Sequence, residues 1–411
     1  MTDIVTDPVA LGFAPADPEF IANPYPVFET LRAAGPVLHF GPRDLFLLNR
    51  FADVHAALRD RRLGRAYDHR YLPEEFGQRA PDERWPSFDE SERWSLLNLE
   101  PPDHTRIRRL ITKVFTARAI AGMRPQISEI SSAQLEECLS RNDFDLIGDY
   151  AQPFSVAVIC TLLGVPIEDG ARLLDWSHAI VKMYEFATPD HERAAADRAA
   201  GEFIDYVREL IGWRRAQSQD DLISELVQVA DAGDRLTEDE IICTVIVLLN
   251  AGHEATVNTI GNGMKAMLGH ADQWARVVTG EVEPLTAVEE MLRYDPPLQL
   301  FERWVLDEGV EYGGWAFRIG DRIGMMFGSA NRDPARFTAP DTFDAGRGDA
   351  THIGFGGGVH FCIGAPLARL ELEVTVGQLR DRTPGLRVVD EAQYQPYFVI
   401  RGLRSLRVAA N

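Results

Sequence analysis

Ten residues near one end of the chain, Phe355-Gly356-Gly357-Gly358-Val359-His360-Phe361-Cys362-Ile363-Gly364, hold the densest concentration of groups able to do chemistry. Three consecutive glycines permit backbone conformations that a Cβ resists, and they let the chain approach a flat ligand closely. Cys362 stands just ahead of a helix-like run, Ala365 to Leu379, where the helix dipole and free N–H groups favour a thiolate over a thiol. A zinc site built on His360 and Cys362 lacks further ligands at suitable spacing. Cys138, Cys160 and Cys243 lie among helix-periodic apolar residues with no C-x-x-C pairing. They read as inert core thiols and speak against a disulfide scaffold.

A second group sits in the longest helix candidate. Thr237 and Glu240 form a capping-box pattern, and the helical run continues to about Leu268. Val245 to Leu249 is apolar on every face, as expected of a helix buried all round, and Asn250, Gly252, His253, Glu254 and Thr256 then follow closely. Polar groups and a glycine at the centre of a buried helix are costly, so they require hydrogen-bonding partners or a cavity. Two more pairs are aligned by their spacing: Glu290 with Arg293 at i, i+3 and His104 with Arg108 at i, i+4 each share one helix face.

The cysteine loop closely resembles the haem-binding loop of the cytochromes P450, whose F-x-x-G-x-H-x-C-x-G pattern is matched by Phe355, Gly358, His360, Cys362 and Gly364. Other landmarks follow in that family's order. Glu290-Met291-Leu292-Arg293 fits E-x-x-R, and Asn331-Arg332-Asp333-Pro334 and Asn23-Pro24-Tyr25-Pro26 are similar to family segments, so the resemblance covers nearly all of residues 15 to 408. It implies haem b (iron protoporphyrin IX) as cofactor, with Cys362 as the proximal iron ligand whose electron donation favours O–O cleavage. It implies that Glu290 and Arg293, together with Arg347, brace the loop carrying Cys362. It also implies that His104, Arg108, Arg303 and His352 hold the haem propionates, since carboxylates inside a protein need such donors. The implied fold is mainly α: one large helical domain over residues 1–411 around a buried haem, with small β-sheets and a flexible stretch at 1–14.

The family's oxygen-activating helix usually reads A/G-G-x-D/E-T-T/S, and this chain has Ala251-Gly252-His253-Glu254-Ala255-Thr256. The acid is kept, and Ala255 stands where the threonine is usual. In the family an acid–alcohol pair passes protons to the oxygen under reduction, so the relay must be altered here. Thr256 is no simple substitute, because adjacent helix residues point about 100° apart. Ordered water or a hydroxyl of the substrate would replace the alcohol, with Glu254 still linking the site to solvent; weaker coupling with no special mechanism is the plainer alternative. By the same resemblance Val247, Asn250, Ala251, Leu298, Gln299 and Phe398 line the substrate pocket, and Asn250 is placed to hydrogen-bond a polar substrate group.

The implied activity is that of a monooxygenase inserting one oxygen atom of O2 into a small organic substrate, by hydroxylation or a related oxidation. Electrons would come from a ferredoxin and its NAD(P)H reductase. Two alternatives stand beside it: a peroxide-driven haem-thiolate peroxygenase, compatible with loss of the threonine, and a non-catalytic haem protein that binds a gas. Arg109, Lys113 and Arg369 lie near the motifs that shape the cysteine side and offer a local basic dock for an acidic donor.

The elements that must position these residues are mostly helices. Amphipathic spacing predicts them over Tyr25 to Ala34, Thr105 to Phe115, Ala119 to Leu139, Glu192 to Ala216 and Asp220 to Ala230, with strand-like pieces at Val37 to Leu48, Val310 to Phe317 and near the C-terminus. With 45% hydrophobic and 26% charged residues the chain can build a large core. No repeat or linker breaks it into domains. A net charge of -21 repels phosphates, which argues against nucleic acid or an anionic membrane as partner. Met1 to Phe13 shows no leader pattern, and the longest apolar stretch, Ile241 to Leu249, is too short to span a bilayer. The expected location is the cytoplasm.

Overall fold

The computed structural model describes residues 6–78, 82–141, 143–186, 188–229, 236–349 and 351–410. The chain forms two compact units, neither contiguous in sequence. One takes the first 80 residues with Asn258–Cys362 and Pro384–Arg407; the other takes Pro81–Val257, Ile363–Thr383 and the last four residues. The missing linker, read above as one domain over 1–411, has a structural reason. One boundary falls inside the helix Glu238–Leu268 and another falls directly after Cys362, so no change of composition marks either.

The first unit is built on a five-stranded sheet in the order Val37–Phe40, Leu45–Leu48, Arg322–Met326, Leu300–Val305, Leu63–Gly64. Leu45–Leu48 pairs in parallel with Arg322–Met326, and the other neighbours are antiparallel. The strand-like run expected over 37–48 is thus a hairpin, reversed through Gly41–Arg43. Leu48, Val305, Ile323, Met325 and Phe327 pack with Val54 and Leu58 into one buried cluster. Burying such a side chain stabilises by roughly 1.5–3 kcal/mol, which is what fixes the strand faces. Of the stretch expected to be flexible at 1–14, residues 1–5 lie outside the described residues. Phe13 is buried, with its ring edge-on to Phe20, Phe40 and Phe398 at 5.4, 5.2 and 5.6 Å, and aromatic packing of this kind ties down a terminal segment.

The second unit is helical. The capping box at the head of the long helix is present in both directions: Glu240 N–H donates to Thr237 Oγ1 at 3.2 Å, and Thr237 N–H donates to Glu240 Oε2 at 2.8 Å. The helix expected from Ala119 to Leu139 is two helices, Ala117–Gly122 and Arg124–Leu139. Pro125 accounts for the break, since it has no N–H to donate to the preceding turn and is tolerated only in a first turn. Gln152–Leu163 and Gly170–Val181 complete the layer that matters for the site. Two helical stretches, Leu146–Leu163 and Glu238–Leu268, are apolar enough to cross a membrane by length and composition, but most of each is buried inside the protein, as core helices are.

Candidate active site

In the first unit the cysteine loop is shaped by its glycines. Gly356 and Gly358 adopt φ of +69° and +67°, and a Cβ on Gly358 would lie 2.2 Å from the Leu58 carbonyl oxygen. Only glycine fits that place. The loop closes through the Cys362 N–H, which donates to Phe355 O at 3.0 Å. Cys362 remains half-buried and Phe361 beside it is exposed. The same Leu58 carbonyl accepts from Nη1 of Arg303 at 3.2 Å, so a buried guanidinium and the loop meet at one oxygen. The three other cysteines are buried. Burial pushes Cys160 and Cys243 up to about 12 and Cys138 up to about 11, which keeps them as inert thiols.

Glu290, Arg293 and Arg347, expected to brace the cysteine loop, are brought together. Arg293 donates Nε and Nη2 to the two oxygens of Glu290 at 2.7 and 2.8 Å, and Arg347 Nε donates to Glu290 Oε2 at 3.0 Å. Arg293 also donates to the carbonyls of Asn331, Pro340 and Thr342. Asn331 Oδ1 in turn accepts from the Ile353 N–H at 2.8 Å. A buried pair with all its hydrogen bonds made is tolerable, whereas one left with a single partner is not.

Three residues expected at the cofactor or in the pocket stand differently. His352 has both ring nitrogens engaged: Nδ1 accepts from the Gly354 N–H at 3.1 Å, which leaves Nε2 to donate to Glu289 at 2.9 Å. His352, expected to hold a haem propionate, thus stands on the carboxylate of Glu289. Gln299 is wholly buried, donating Nε2 to Pro296 O and its backbone N–H to Val399 O. Phe398 is equally buried within the aromatic cluster of Phe13, Phe20 and Phe28. Of the wall residues expected in this unit, Leu298 alone keeps partial exposure.

In the second unit the central helix carries the rest. Val247 is half-buried, and Ala251 and Ala255 are exposed, at successive i, i+4 positions of a helix otherwise largely buried. This leaves an open stripe of small side chains. Gly252 brings that helix against its neighbour, because a Cβ there would stand 2.7 Å from Ile159 Cδ1. Asn250 is buried, and neither its amide nitrogen nor its oxygen has a hydrogen-bond partner. Thr256 donates its hydroxyl back to Gly252 O at 3.3 Å. His104 is buried and Arg108 half-buried, four residues apart on Asp103–Val114.

Sequence reasoning missed one partner of the retained acid. Glu254 Oε2 lies 3.5 Å from Nε2 of its neighbour His253 and 3.5 Å from Nε2 of His178, on the helix Gly170–Val181. His253 is fully buried with Nδ1 2.9 Å from Leu249 O, and desolvation holds its pKa below the ordinary imidazole value, so the ring is neutral at neutral pH. Nothing near His178 in the sequence marks it, because its partner lies far along the chain, on a different helix.

Comparison with known proteins bears on all of these groups at once. The family model described as cytochrome P450 matches residues 69–279 and 285–379. Cytochrome P450 107B1 of Saccharopolyspora erythraea is 38% identical over 371 residues, covering 89% of each chain. The vitamin D(3) 25-hydroxylase of Pseudonocardia autotrophica is 36% identical over 395 residues, covering 95% of this chain and 94% of its own. Among solved structures, P450BioI in complex with hexadec-9Z-enoic acid ligated acyl carrier protein superposes with a TM-score of 0.88 at 32% identity, over 95% of this chain and 99% of that one. The residues present suit an iron porphyrin: a half-buried thiol on a glycine loop that other residues cannot form, a buried guanidinium beside it, and an open alanine stripe on an apolar helix. Sequence match, fold and donor set agree, and the chain belongs to the cytochrome P450 family as a haem-thiolate monooxygenase that carries haem b.

Proposed function

We propose that this enzyme oxidises an apolar substrate bearing at least one hydrogen-bonding group, which Asn250 receives. The observation that carries the reading is the Asn250 amide, buried and without a hydrogen-bond partner on the helix that also bears Glu254. An unpartnered buried amide costs about 1–3 kcal/mol, a cost that a bound polar group would remove. Asn250 and Glu254 are four residues apart, so they share one side of the helix, and Val247, Ala251 and Ala255 leave room beside them. The names of the relatives, with their references to vitamin D(3) and to a fatty acyl chain, are consistent with an apolar skeleton.

Within this reading Cys362 provides the thiolate, and His104, Arg108, Arg303 and His352 hold the carboxylates of the cofactor. Bound haem supplies the oxidising chemistry on dioxygen. Glu254 collects protons from the solvent side, and with Ala255 in place of an alcohol the last carrier is water or a hydroxyl of the substrate. Electrons come from an acidic ferredoxin served by an NAD(P)H reductase, and the protein works in the cytoplasm.

Paired ligands, each an apolar compound with a hydroxyl and its deoxy counterpart, test the assignment through the spin-state change of the haem protein. The hydroxylated member of a matched pair should bind at least about tenfold tighter, roughly 1.4 kcal/mol, and Asn250→Leu should abolish that preference. A preference that survives Asn250→Leu rejects Asn250 as the recognition group.

A further inference from the structure

Among the described residues, His178, His253 and Glu254 bring three potential metal-ligand atoms within 4.8 Å of one another. The helix Gly170–Val181 contributes one and the central helix contributes two. The hydrogen bonding around His253 decides how its ring is presented. The Leu249 carbonyl, 2.9 Å from Nδ1, can only accept, so Nδ1 carries a proton and donates it. In the neutral ring Nε2 is then a bare lone pair. It has no hydrogen-bond partner, is completely enclosed, and faces Glu254 Oε2 at 3.5 Å. Two acceptors facing each other call for something positive between them. Most metal-ligating histidines also donate their other ring N–H to a carbonyl or carboxylate, which fixes the tautomer and aims the free nitrogen at the ion, and the Nδ1 bond of His253 does the same.

The spacing suits a particular class of ion. Ligand atoms held about 2.0–2.1 Å from a tetrahedral centre stand roughly 3.3–3.5 Å apart. The two separations from Glu254 Oε2, to His178 Nε2 and to His253 Nε2, are 3.5 Å each. Two imidazoles and one carboxylate form a ligand set that zinc uses with a fourth position left to water. The His178 side chain is 38% exposed, which gives an ion a path in from solvent, while His253 anchors the inner end at 0%.

We propose that His178, His253 and Glu254 form a binding site for a zinc-class divalent ion that ties the helix Gly170–Val181 to the oxygen-activating helix. Occupancy engages the Glu254 carboxylate as a ligand. If Glu254 carries protons, a part of the proposal that rests on the function proposed above, a filled site withdraws it from that task and zinc becomes an inhibitor of substrate oxidation. No bond of the substrate is involved, and the ion neither gains nor loses electrons.

The test uses the haem-loaded protein, stripped of adventitious metal with a chelator and titrated with zinc chloride against a chromophoric zinc indicator. One zinc per chain is expected, with zinc-edge X-ray absorption showing two imidazoles and oxygen at about 2.0–2.1 Å. His178→Ala should weaken binding at least tenfold, and Glu254→Gln should do the same while retaining the CO spectrum of thiolate-ligated haem, which verifies folding. Absence of stoichiometric binding, or affinity unchanged in His178→Ala, overturns the site. With each protein compared to its own metal-free rate, zinc should slow the parent and leave His178→Ala unaffected. Binding that depends on His178 but leaves turnover unaffected overturns the proton-carrying role of Glu254 and leaves the site standing.

Discussion

Gly358 shows how far a single residue can be argued. Its φ of +67°, and the 2.2 Å that would separate an added Cβ from Leu58 O, make two separate demands on the absence of a side chain. Gly358→Ala should therefore displace the loop and detach its thiol from the cofactor: haem content per chain falls and the thiolate CO band gives way to that of a thiol or another axial ligand. A normal band at full occupancy would show that the loop relaxes without cost. Ala255 permits the opposite experiment, the return of the family's usual hydroxyl. If substrate or water has taken over the last proton transfer, Ala255→Thr should alter product formed per reducing equivalent; unchanged coupling removes support for a substituted relay. Both residues were legible in the sequence because the pattern around them is dense. The state of Asn250 was only half legible: its type and place were visible, its lack of partners was not. His178 could not be found, since what matters about it is a distance to Glu254 across two helices.

Elements divide in the same way. Helices with one apolar face, such as Tyr25–Ala34 and Asp190–Ala216, follow their periodicity to within two residues of expectation. Gln152–Leu163 gave no such signal, because Phe154, Val156, Val158, Ile159, Cys160 and Leu163 are buried around its whole circumference and leave no polar face. Its position explains a second buried acid. On the helix Ala365–Arg382, Glu371 is wholly enclosed, accepts from Ser155 Oγ at 3.1 Å, and has no partner for its other oxygen. Desolvation raises its pKa well above the ordinary glutamate value, so the folded protein keeps a proton that the unfolded chain gives up. Stability from this group is therefore full at acid pH and is lost as pH climbs above the ordinary carboxylate range towards the raised folded-state value. Glu371→Gln keeps an acceptor for Ser155 and cannot ionise. Its melting temperature should exceed that of the parent at neutral pH, with the advantage shrinking towards about pH 4; parallel profiles for the two proteins would mean that Glu371 ionises in the folded state as it does in the unfolded.

At the scale of the molecule, a net charge of -21 and the acidic electron donor proposed above stand opposed until the charge is resolved onto one helix. On Asp103–Val114, His104 is buried and Arg108 half-buried, whereas Arg109 and Lys113 are exposed. Each exposed cation follows an inward residue by five positions, about 140° round the helix. The helix thus turns the side of His104 and Arg108, proposed above to hold the cofactor's carboxylates, inward and nearly the opposite side to solvent. Arg369, half-buried on Ala365–Arg382, belongs to the same compact unit. The shared face of His104 and Arg108 was readable from their spacing, unlike the division into two units, whose boundaries fall within elements and leave no mark in composition. Long-range repulsion between two acidic proteins is screened beyond roughly 10 Å at 0.1 M salt, while a local basic patch acts at contact and during the final approach. Reversing both charges, Arg109→Glu with Lys113→Glu, should slow ferredoxin-driven reduction several-fold at low salt, and the difference should narrow as salt is raised, because steering operates on the association rate. Stopped-flow reduction under CO at two ionic strengths measures this directly. Equal rates for parent and variant at low salt would move the dock elsewhere, whereas a deficit that persists unchanged in high salt would point to damage on the inward side, at His104 and Arg108, instead of to lost steering.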